Sequence, residues 1–524
     1  MSFLELLPFR IEKADDLAKA FEKLEEGNLL LRAPPGSGKT AVSLAYLLRQ
    51  ARLGRKSVIF FRTKAEIDQG LMLLNEMVEP LNEKPLITPL VGKKEACLYP
   101  PAEETALRWW CKFSNCGRMN RKWKRGLEED ILTLEGRGLS IDRYLDELRK
   151  QGLCPFYALR KLATRSVILL TTYPFLIDGE LFKKINERDL FILDEAHTML
   201  CLVTHEMKKG AFKRGEQLFA RTEDEEMPPN RYCVSLWRQG KKEDAVMLSQ
   251  YLAFQKAAGS MYETRENMLK VCPPSRLLAE RVEAEKLLVM SSTLYPSGLF
   301  KKIFAIARMH LLEGMLTPSN KRAIIGLTSH LTSRYTMRSR EMFKRYAEAI
   351  QTLTDAIDVP TLLFSPSYRF ASRLAKHLGY PVTREETEIP KHLASFGQVH
   401  TVARGRLSEG IDIDLSGEEP RLLIVAGLPF PKISDRMRAV AREYGKEYDI
   451  SEGHFLRALT HSTMVSALTQ MIGRTGRTKK GAAVIMDERL RNLNLPFPTV
   501  HSLSSVIKRV RQLGIGQQIT DVGG

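Results

Sequence analysis

The sequence predicts an α/β fold of two helix-covered parallel sheets in tandem, with a small, cysteine-rich, mostly helical insertion in the first. Three observations predict it. Short apolar runs rich in β-branched residues alternate with stretches of helical periodicity, the pattern of a parallel sheet flanked by helices. The alternation comes in two series, separated by the mixed and basic stretch Arg308–Arg340. A glycine-rich turn joins the first strand of the first series to a helix, a junction suited to holding phosphate. At 524 residues the chain exceeds what a single core supports, which fits two such units and an insertion.

In the first series the expected strands are Leu29–Arg32, Ser57–Arg62, Val167–Thr171, Leu190–Leu193 and Leu287–Met290. In the second they are Thr361–Phe364, Val399–Val402, Leu422–Ala426 and Ala482–Met486. Between the strands of the first series, about Gly92–Arg160 lacks strand character and carries four of the seven cysteines. The expected organisation is therefore a first α/β domain from 1–91 and 161–308 and a cysteine insertion at 92–160. A reduced, helical segment at 198–286 lies within the first domain, and a second α/β domain covers 309–524.

Composition narrows the function classes. Hydrophobic residues make up 44% and charged residues 27%, ordinary for a chain with a full core. Lys and Arg exceed Asp and Glu by 80 − 62 = 18, an excess that favours a polyanion partner, nucleic acid first. No apolar run is long enough to span a membrane, and the opening MSFLELLPFRIEK is too acidic and broken for a signal peptide. The expectation is a monomeric cytoplasmic protein, nucleoid-associated in a prokaryote, with cysteines serving as ligands or buried thiols rather than disulfides.

The turn after the first strand reads Ala33-Pro34-Pro35-Gly36-Ser37-Gly38-Lys39-Thr40. Pro35, the backbone N–H groups of Gly36, Ser37 and Gly38, and the helix N-terminus would cradle a triphosphate; Lys39 would reach its β- and γ-phosphates and Thr40 would hold Mg²⁺. Ala33 stands where such loops usually open with Gly. Further on, the strand Phe191-Ile192-Leu193 ends in Asp194-Glu195-Ala196-His197. Two carboxylates at the end of a buried strand are costly unless they serve a cation or a reaction. Asp194 is expected to hold Mg²⁺ through its water shell and Glu195 to activate the attacking water. His197 is a candidate relay to the second domain.

The second series has no phosphate loop, so it is read as completing a site. Its polar density lies in Ala403–Asp412 and in Gln470-Met471-Ile472-Gly473-Arg474-Thr475-Gly476-Arg477. On one helix, Gln470, Arg474 and Arg477 would share a face, and the two arginines could reach across a cleft to the γ-phosphate. The cysteines of the insertion are Cys97, Cys111, Cys116 and Cys154, with thirteen, four and thirty-seven residues between successive members. Four soft thiolates suit zinc or an iron–sulfur cluster, and the irregular spacing leans toward the cluster. Arg108, Lys112, Arg118, Arg121, Lys122, Lys124 and Arg125 interleave there with Trp109, Trp110, Phe113 and Trp123. That mixture reads either as a basic nucleic-acid-binding wedge that stacks bases or as a small core around a metal.

The ordered set Gly38-Lys39-Thr40, Asp194-Glu195-Ala196-His197, Ser291-Ser292-Thr293-Leu294, Phe364–Tyr368, Ser408–Asp412 and Gln470–Arg477 resembles the superfamily-two helicases. With Gly427-Leu428-Pro429-Phe430-Pro431 and Asp487-Glu488-Arg489 it resembles the XPD/DinG-type iron–sulfur DNA helicases over nearly the whole chain. The resemblance implies two RecA-like motor domains and an ATP-dependent helicase moving 5′ to 3′ on single-stranded or forked DNA, with a role in DNA repair. It implies a 4Fe-4S cluster on Cys97, Cys111, Cys116 and Cys154. Glu195, Arg474 and Arg477 would be catalytic, and Gln470 and Asp412 would couple closure to stepping.

Two departures stand out. Only about ninety residues separate His197 from Ser291, too few for the family's arch, which is expected to be reduced or absent. No adenine-reading glutamine occurs in Leu7–Lys13. The alternatives are a DNA-stimulated ATPase that strips or remodels without efficient unwinding, a helicase acting on RNA, and an iron–sulfur nucleic-acid sensor with a vestigial ATPase.

Overall fold

The computed structural model of the chain describes residues 3–34, 36–81, 85–101, 109–114, 116, 140–177, 187–224, 226–282, 285–294, 296–312, 321–384, 392, 395–403, 421–476, 479–493 and 495–515. The chain forms two compact units. The first comprises Met1–Arg32, Ser37–Leu312 and Ile433–Ala458; the second comprises Ala33–Gly36, Glu313–Lys432 and Leu459–Gly524.

The first unit is built on a seven-stranded parallel sheet. In chain order its strands are β1 (Leu29–Arg32), β2 (Ser57–Phe61), β3 (Ile87–Pro89), β4 (Ile168–Thr172), β5 (Leu190–Leu193), β9 (Lys286–Ser291) and β10 (Met309–Leu311). The spatial order is β10-β1-β9-β5-β2-β4-β3. Near-continuous apolar runs such as Ser-Val-Ile-Phe-Phe and Leu-Phe-Ile-Leu are buried along their whole length, as strands covered on both faces require. Because β9 lies between β1 and β5, with Arg32 opposite Ser291 and Leu193 opposite Val289, the carboxyl ends of the three strands meet at one edge.

Within 198–286 the structure forms more than helices. Three antiparallel strands, β6 (Val203–Lys208), β7 (Ser260–Glu263) and β8 (Asn267–Val271), pair in the order β6-β8-β7. Helices Lys209–Asp224, Pro229–Arg238 and Lys242–Lys256 lie between β6 and β7. Helix Asp435–Tyr448, inside the span assigned from sequence to the second domain, groups with this first unit. Its Glu443 is buried and accepts hydrogen bonds from Ser260 Oγ and Tyr262 OH, each at 2.6 Å.

The second unit carries a six-stranded parallel sheet of β11 (Arg322–Leu327), β12 (Thr361–Ser365), β13 (Gln398–Val402), β14 (Leu422–Ala426), β15 (Gly481–Met486) and β16 (Thr499–Val500), ordered β13-β12-β14-β15-β11-β16. Helix Arg340–Ile357 buries Phe343, Tyr346, Ile350, Leu353 and Ile357 against it.

All nine expected strands form, each within one residue of its expected ends. The mixed and basic stretch Arg308–Arg340 between the two series holds β10, an edge strand of the first sheet, and β11, an interior strand of the second. β10 escaped notice because an edge strand of Met-His-Leu needs no apolar run.

Candidate functional site

The glycine turn is fixed by its backbone. Gly36 and Gly38 have φ of +73° and +82°, left-handed values that favour glycine. At Gly38 a side chain is excluded on a second count, since an added Cβ would lie 2.7 Å from Ile11 Cδ1. Gly38 caps the helix Lys39–Arg52, so the turn delivers Lys39 and Thr40 to the helix start at the strand edge described above. The buried Ser37 hydroxyl has no hydrogen-bond partner among the described residues, leaving a donor that an anion in the turn would satisfy. Pro35 lies outside the described residues.

Asp194 and Glu195 meet this turn from β5. Thr40 Oγ1 donates to Asp194 Oδ2 at 2.8 Å, and Lys39 Nζ lies 2.6 Å from Glu195 Oε1 and 3.8 Å from Asp194 Oδ1. Glu195 has φ of +50°, a left-handed backbone that a non-glycine residue adopts at a cost of about 1–2 kcal/mol. Its N–H donates to Asp194 Oδ1 at 2.8 Å. Its second carboxylate oxygen accepts from Ser291 Oγ at 3.1 Å and lies 3.2 Å from His197 Nδ1, while His197 and Ser291 are 2.8 Å apart. Sequence reasoning quoted Ser291 only as a mark of resemblance; its placement beside Glu195 follows from β9 lying next to β5. His197, expected to relay to the second domain, is paired here with Ser291 and Glu195 of its own unit.

Charge in this cluster is set by burial and by pairing. Burial alone would lower the Lys39 ammonium, but Glu195 and Asp194 outweigh it and hold it well above the ordinary lysine range. Burial likewise opposes ionisation of Glu195, yet Lys39 and His197 hold that carboxyl well below its ordinary range. Asp194 is the group that burial wins: opposed by Lys39 and reinforced by Glu195, it is pushed up to about 6. A divalent cation would find there two oxygen donors, the Thr40 hydroxyl and the Asp194 carboxylate, already in contact.

In the second unit the helix Glu452–Ile472 ends before Gly473. Arg474 therefore sits in the turn beyond it and does not share a helix face with Gln470. Glycine at 473 and 476, with Gly476 at φ +69°, ends the helical geometry the sequence pattern suggested. That turn is braced by Arg322, a residue sequence reasoning did not single out. Arg322 is buried at the start of β11 and donates from Nε to Thr475 O at 2.7 Å and from Nη2 to Gly476 O at 3.3 Å. Arg477 and Asp412 lie outside the described residues.

The four insertion cysteines are free thiols. Cys111 lies in the short helix Trp110–Phe113, Cys116 N donates to Cys111 O at 3.1 Å, and Cys154 precedes the helix Pro155–Arg165. Burial raises the Cys154 thiol, and the nearby Cys111 and Cys97 add to that rise against backbone hydrogen bonds from Tyr157 and Phe156. Among the described residues, no three His, Cys, Asp or Glu side chains are drawn together tightly enough to hold a metal. The donor chemistry suits a soft metal centre; the arrangement seen is looser than ligation.

The aromatic wedge is corrected for its described members. Trp109, Trp110 and Phe113 pack into a core with Leu218, Tyr232, Leu236 and Trp237 of the inserted helices. Phe113 and Trp237 stack with centroids 4.3 Å apart and planes 3° apart, and Trp110 Nε1 donates to Tyr99 O. Phe113 is buried in this core and Trp109 and Trp110 are half-buried at its edge. Trp123 and the basic run 118–125 lie outside the described residues.

Two protein families match: DEAD_2 over residues 59–209 and the helicase C-terminal domain over 350–502. The ATP-dependent DNA helicase XPD of Sulfolobus acidocaldarius is 24% identical, the alignment covering 92% of this chain and 96% of that protein. The chain is XPD-like in sequence and in fold. A second relative, the general transcription and DNA repair factor IIH helicase subunit XPD/RAD3 of Saccharomyces cerevisiae, is 25% identical over 33% of this chain and 26% of its own length. A solved XPD helicase structure matches with a TM-score of 0.63 at 18% identity, covering 98% of this chain and 99% of that one. The Xpd4 structure from S. tokodaii matches at 0.52 and 17%, covering 94% and 100%. These structures share the fold, two RecA-like parallel sheets included. No described helix is long and apolar enough to cross a membrane.

Proposed function

We propose that the chain is an ATP-dependent DNA helicase, an ATP hydrolase that moves on single-stranded DNA. The observation that carries this is the junction of Lys39 with Glu195 and of Thr40 with Asp194 at the carboxyl edge of a parallel sheet. Pro35–Thr40 cradle the triphosphate, Lys39 turns from Glu195 to the β- and γ-phosphates, and Thr40 and Asp194 hold Mg²⁺ and its water. Glu195, released from Lys39, takes a proton from the attacking water as its oxygen bonds to the γ-phosphorus and the bond to the β–γ bridging oxygen breaks. Ser291 and His197 hold the Glu195 carboxylate in place. Arg474 and Arg477 supply positive charge to the phosphoryl oxygens as charge develops, and Gln470 and Asp412 couple nucleotide state to movement.

Cys97, Cys111, Cys116 and Cys154 are proposed to hold a 4Fe-4S cluster, supported by the family and by four free thiols in one insertion. When bound, such a centre ties the insertion's segments together. Movement 5′ to 3′, a role in DNA repair, monomeric action and a cytoplasmic location rest on the resemblance and composition. Glu195→Gln is expected to bind nucleotide and to lose DNA-stimulated hydrolysis; continued turnover would overturn the assignment. Forked duplexes with 5′ or 3′ single-stranded tails then read unwinding and its direction. ATP turnover without strand separation would favour the stripping or remodelling alternative, and the same substrates in RNA test the choice of sugar.

A further inference from the structure

The Gly427–Pro431 and Asp487-Glu488-Arg489 runs are not used by the ATP chemistry, and the structure joins them to one loop. Asp487 is fully buried at the end of β15. Its carboxylate accepts from Ser333 Oγ at 2.9 Å, Ser333 N at 3.2 Å, Leu428 N at 3.1 Å and Arg489 Nε at 2.8 Å. Gly427, at φ +99°, lies so close that an added Cβ would be 2.3 Å from Ser333 Cβ. On the far side of the loop, Arg338 Nε donates to Ser333 O at 2.9 Å. The loop after β11 is thus clamped at its base from both sides.

What this clamp presents is Arg334-Tyr335-Thr336-Met337. Tyr335 is 70% exposed and Met337 52% exposed, so burial does not account for either. The Arg338 guanidinium lies 5.5 Å from the Tyr335 ring centre and 5.3 Å from that of Phe370. Burial, then the nearby Arg489 and Arg369 charges, lower Arg338 from its ordinary range. Arg489 is neutralised by Asp487. Arg334, Arg338 and Arg369 have no carboxylate partner among the described residues. Like charges gathered around an exposed ring on a rigid base raise the energy of the empty state, and a phosphate backbone relieves it.

We propose that this loop is a single-stranded nucleic-acid contact of the second unit, with Tyr335 stacking on a base and Arg334, Arg338 and Arg369 neutralising phosphates. The inference rests on the helicase reading and names substrate contacts for it. The test is anisotropy of the full-length protein on a fluorescein-labelled oligothymidylate over a salt series. Tyr335→Ala is expected to weaken binding about 5- to 100-fold with the salt slope unchanged, and Tyr335→Phe to retain affinity. Arg369→Ala is expected to reduce the log–log salt slope by about 0.7, one phosphate contact on a single strand. Both side chains are exposed, and thermal melting checks that each variant is folded. A folded Tyr335→Ala variant binding within twofold of the parent, or an unchanged slope in Arg369→Ala, overturns the assignment while leaving the helicase reading intact. Failure of the parent protein to bind the oligomer overturns both.

Discussion

Lys39 Nζ sits 2.6 Å from Glu195 Oε1, so the cation proposed to bind the triphosphate and the base proposed to activate the attacking water neutralise each other. Nucleotide and Glu195 therefore compete for one ammonium. Glu195→Gln removes the competing charge, and the variant is expected to bind a fluorescent ATP analogue more tightly, by roughly tenfold. Weaker binding than the parent in a direct titration would contradict the competition.

The second prediction concerns Gly38. Alanine there meets a left-handed φ and Ile11 together. Gly38→Ala is expected to weaken nucleotide binding at least about tenfold and to cost about 1–3 kcal/mol of stability in a chemical melt. Adding Ile11→Ala should restore only part of the loss, because the steric conflict is removed and the backbone strain is not. Full rescue by the double variant would show that strain is unimportant.

A third follows from the brace on the Arg474 turn. Arg322 touches no nucleotide group in the proposed mechanism, yet it holds the carbonyls of Thr475 and Gly476. Arg322→Gln is expected to lower kcat about 10- to 100-fold while leaving KM for ATP within about threefold, since a positioning defect is felt in the transition state. Arg322→Lys should recover part of kcat. An equal rise in KM would point instead to a general collapse of the second unit.

The fourth prediction is a pH dependence of folding. His400 is buried and shares a hydrogen bond of 2.9 Å with Ser365 Oγ, and burial pushes its imidazole down to about 3. Between that value and the ordinary 6.5, the unfolded chain binds a proton that the folded one does not. Stability contributed by neutral His400 is complete above about pH 6.5 and is lost as pH falls toward 3, at up to ~1.4 kcal/mol per unit. His400→Gln should flatten the decline measured by denaturant melts at pH 7 and pH 5. An identical decline in the variant would remove His400 as its source.

The sequence made the sheets and the ATP-binding residues legible for related reasons. Parallel strands buried on both faces are written as apolar runs, and a phosphate turn needs glycine at positions no other residue tolerates. Edge strands such as β10 and the antiparallel β6, β7 and β8 lack such runs, so they were hidden. Arg322 was invisible because a buried arginine that binds carbonyls carries no motif; only the turn it holds does. The Arg474 geometry was misread for the opposite reason: an i, i+4 spacing looks helical, but the helix ends at Ile472, before Gly473. The tryptophans were ambiguous because the same aromatic-basic mixture describes a nucleic-acid surface and a core edge, and Trp237, the partner that decides it, is more than a hundred residues away.

That partner gives the molecule an optical gauge. Trp109, Trp110 and Trp237 are three of its four tryptophans, all packed around Phe113, two residues from Cys111. Emission from the ultraviolet-excited indoles thus reports directly on whether the thiol-bearing segment is seated against the inserted helices, without any label attached.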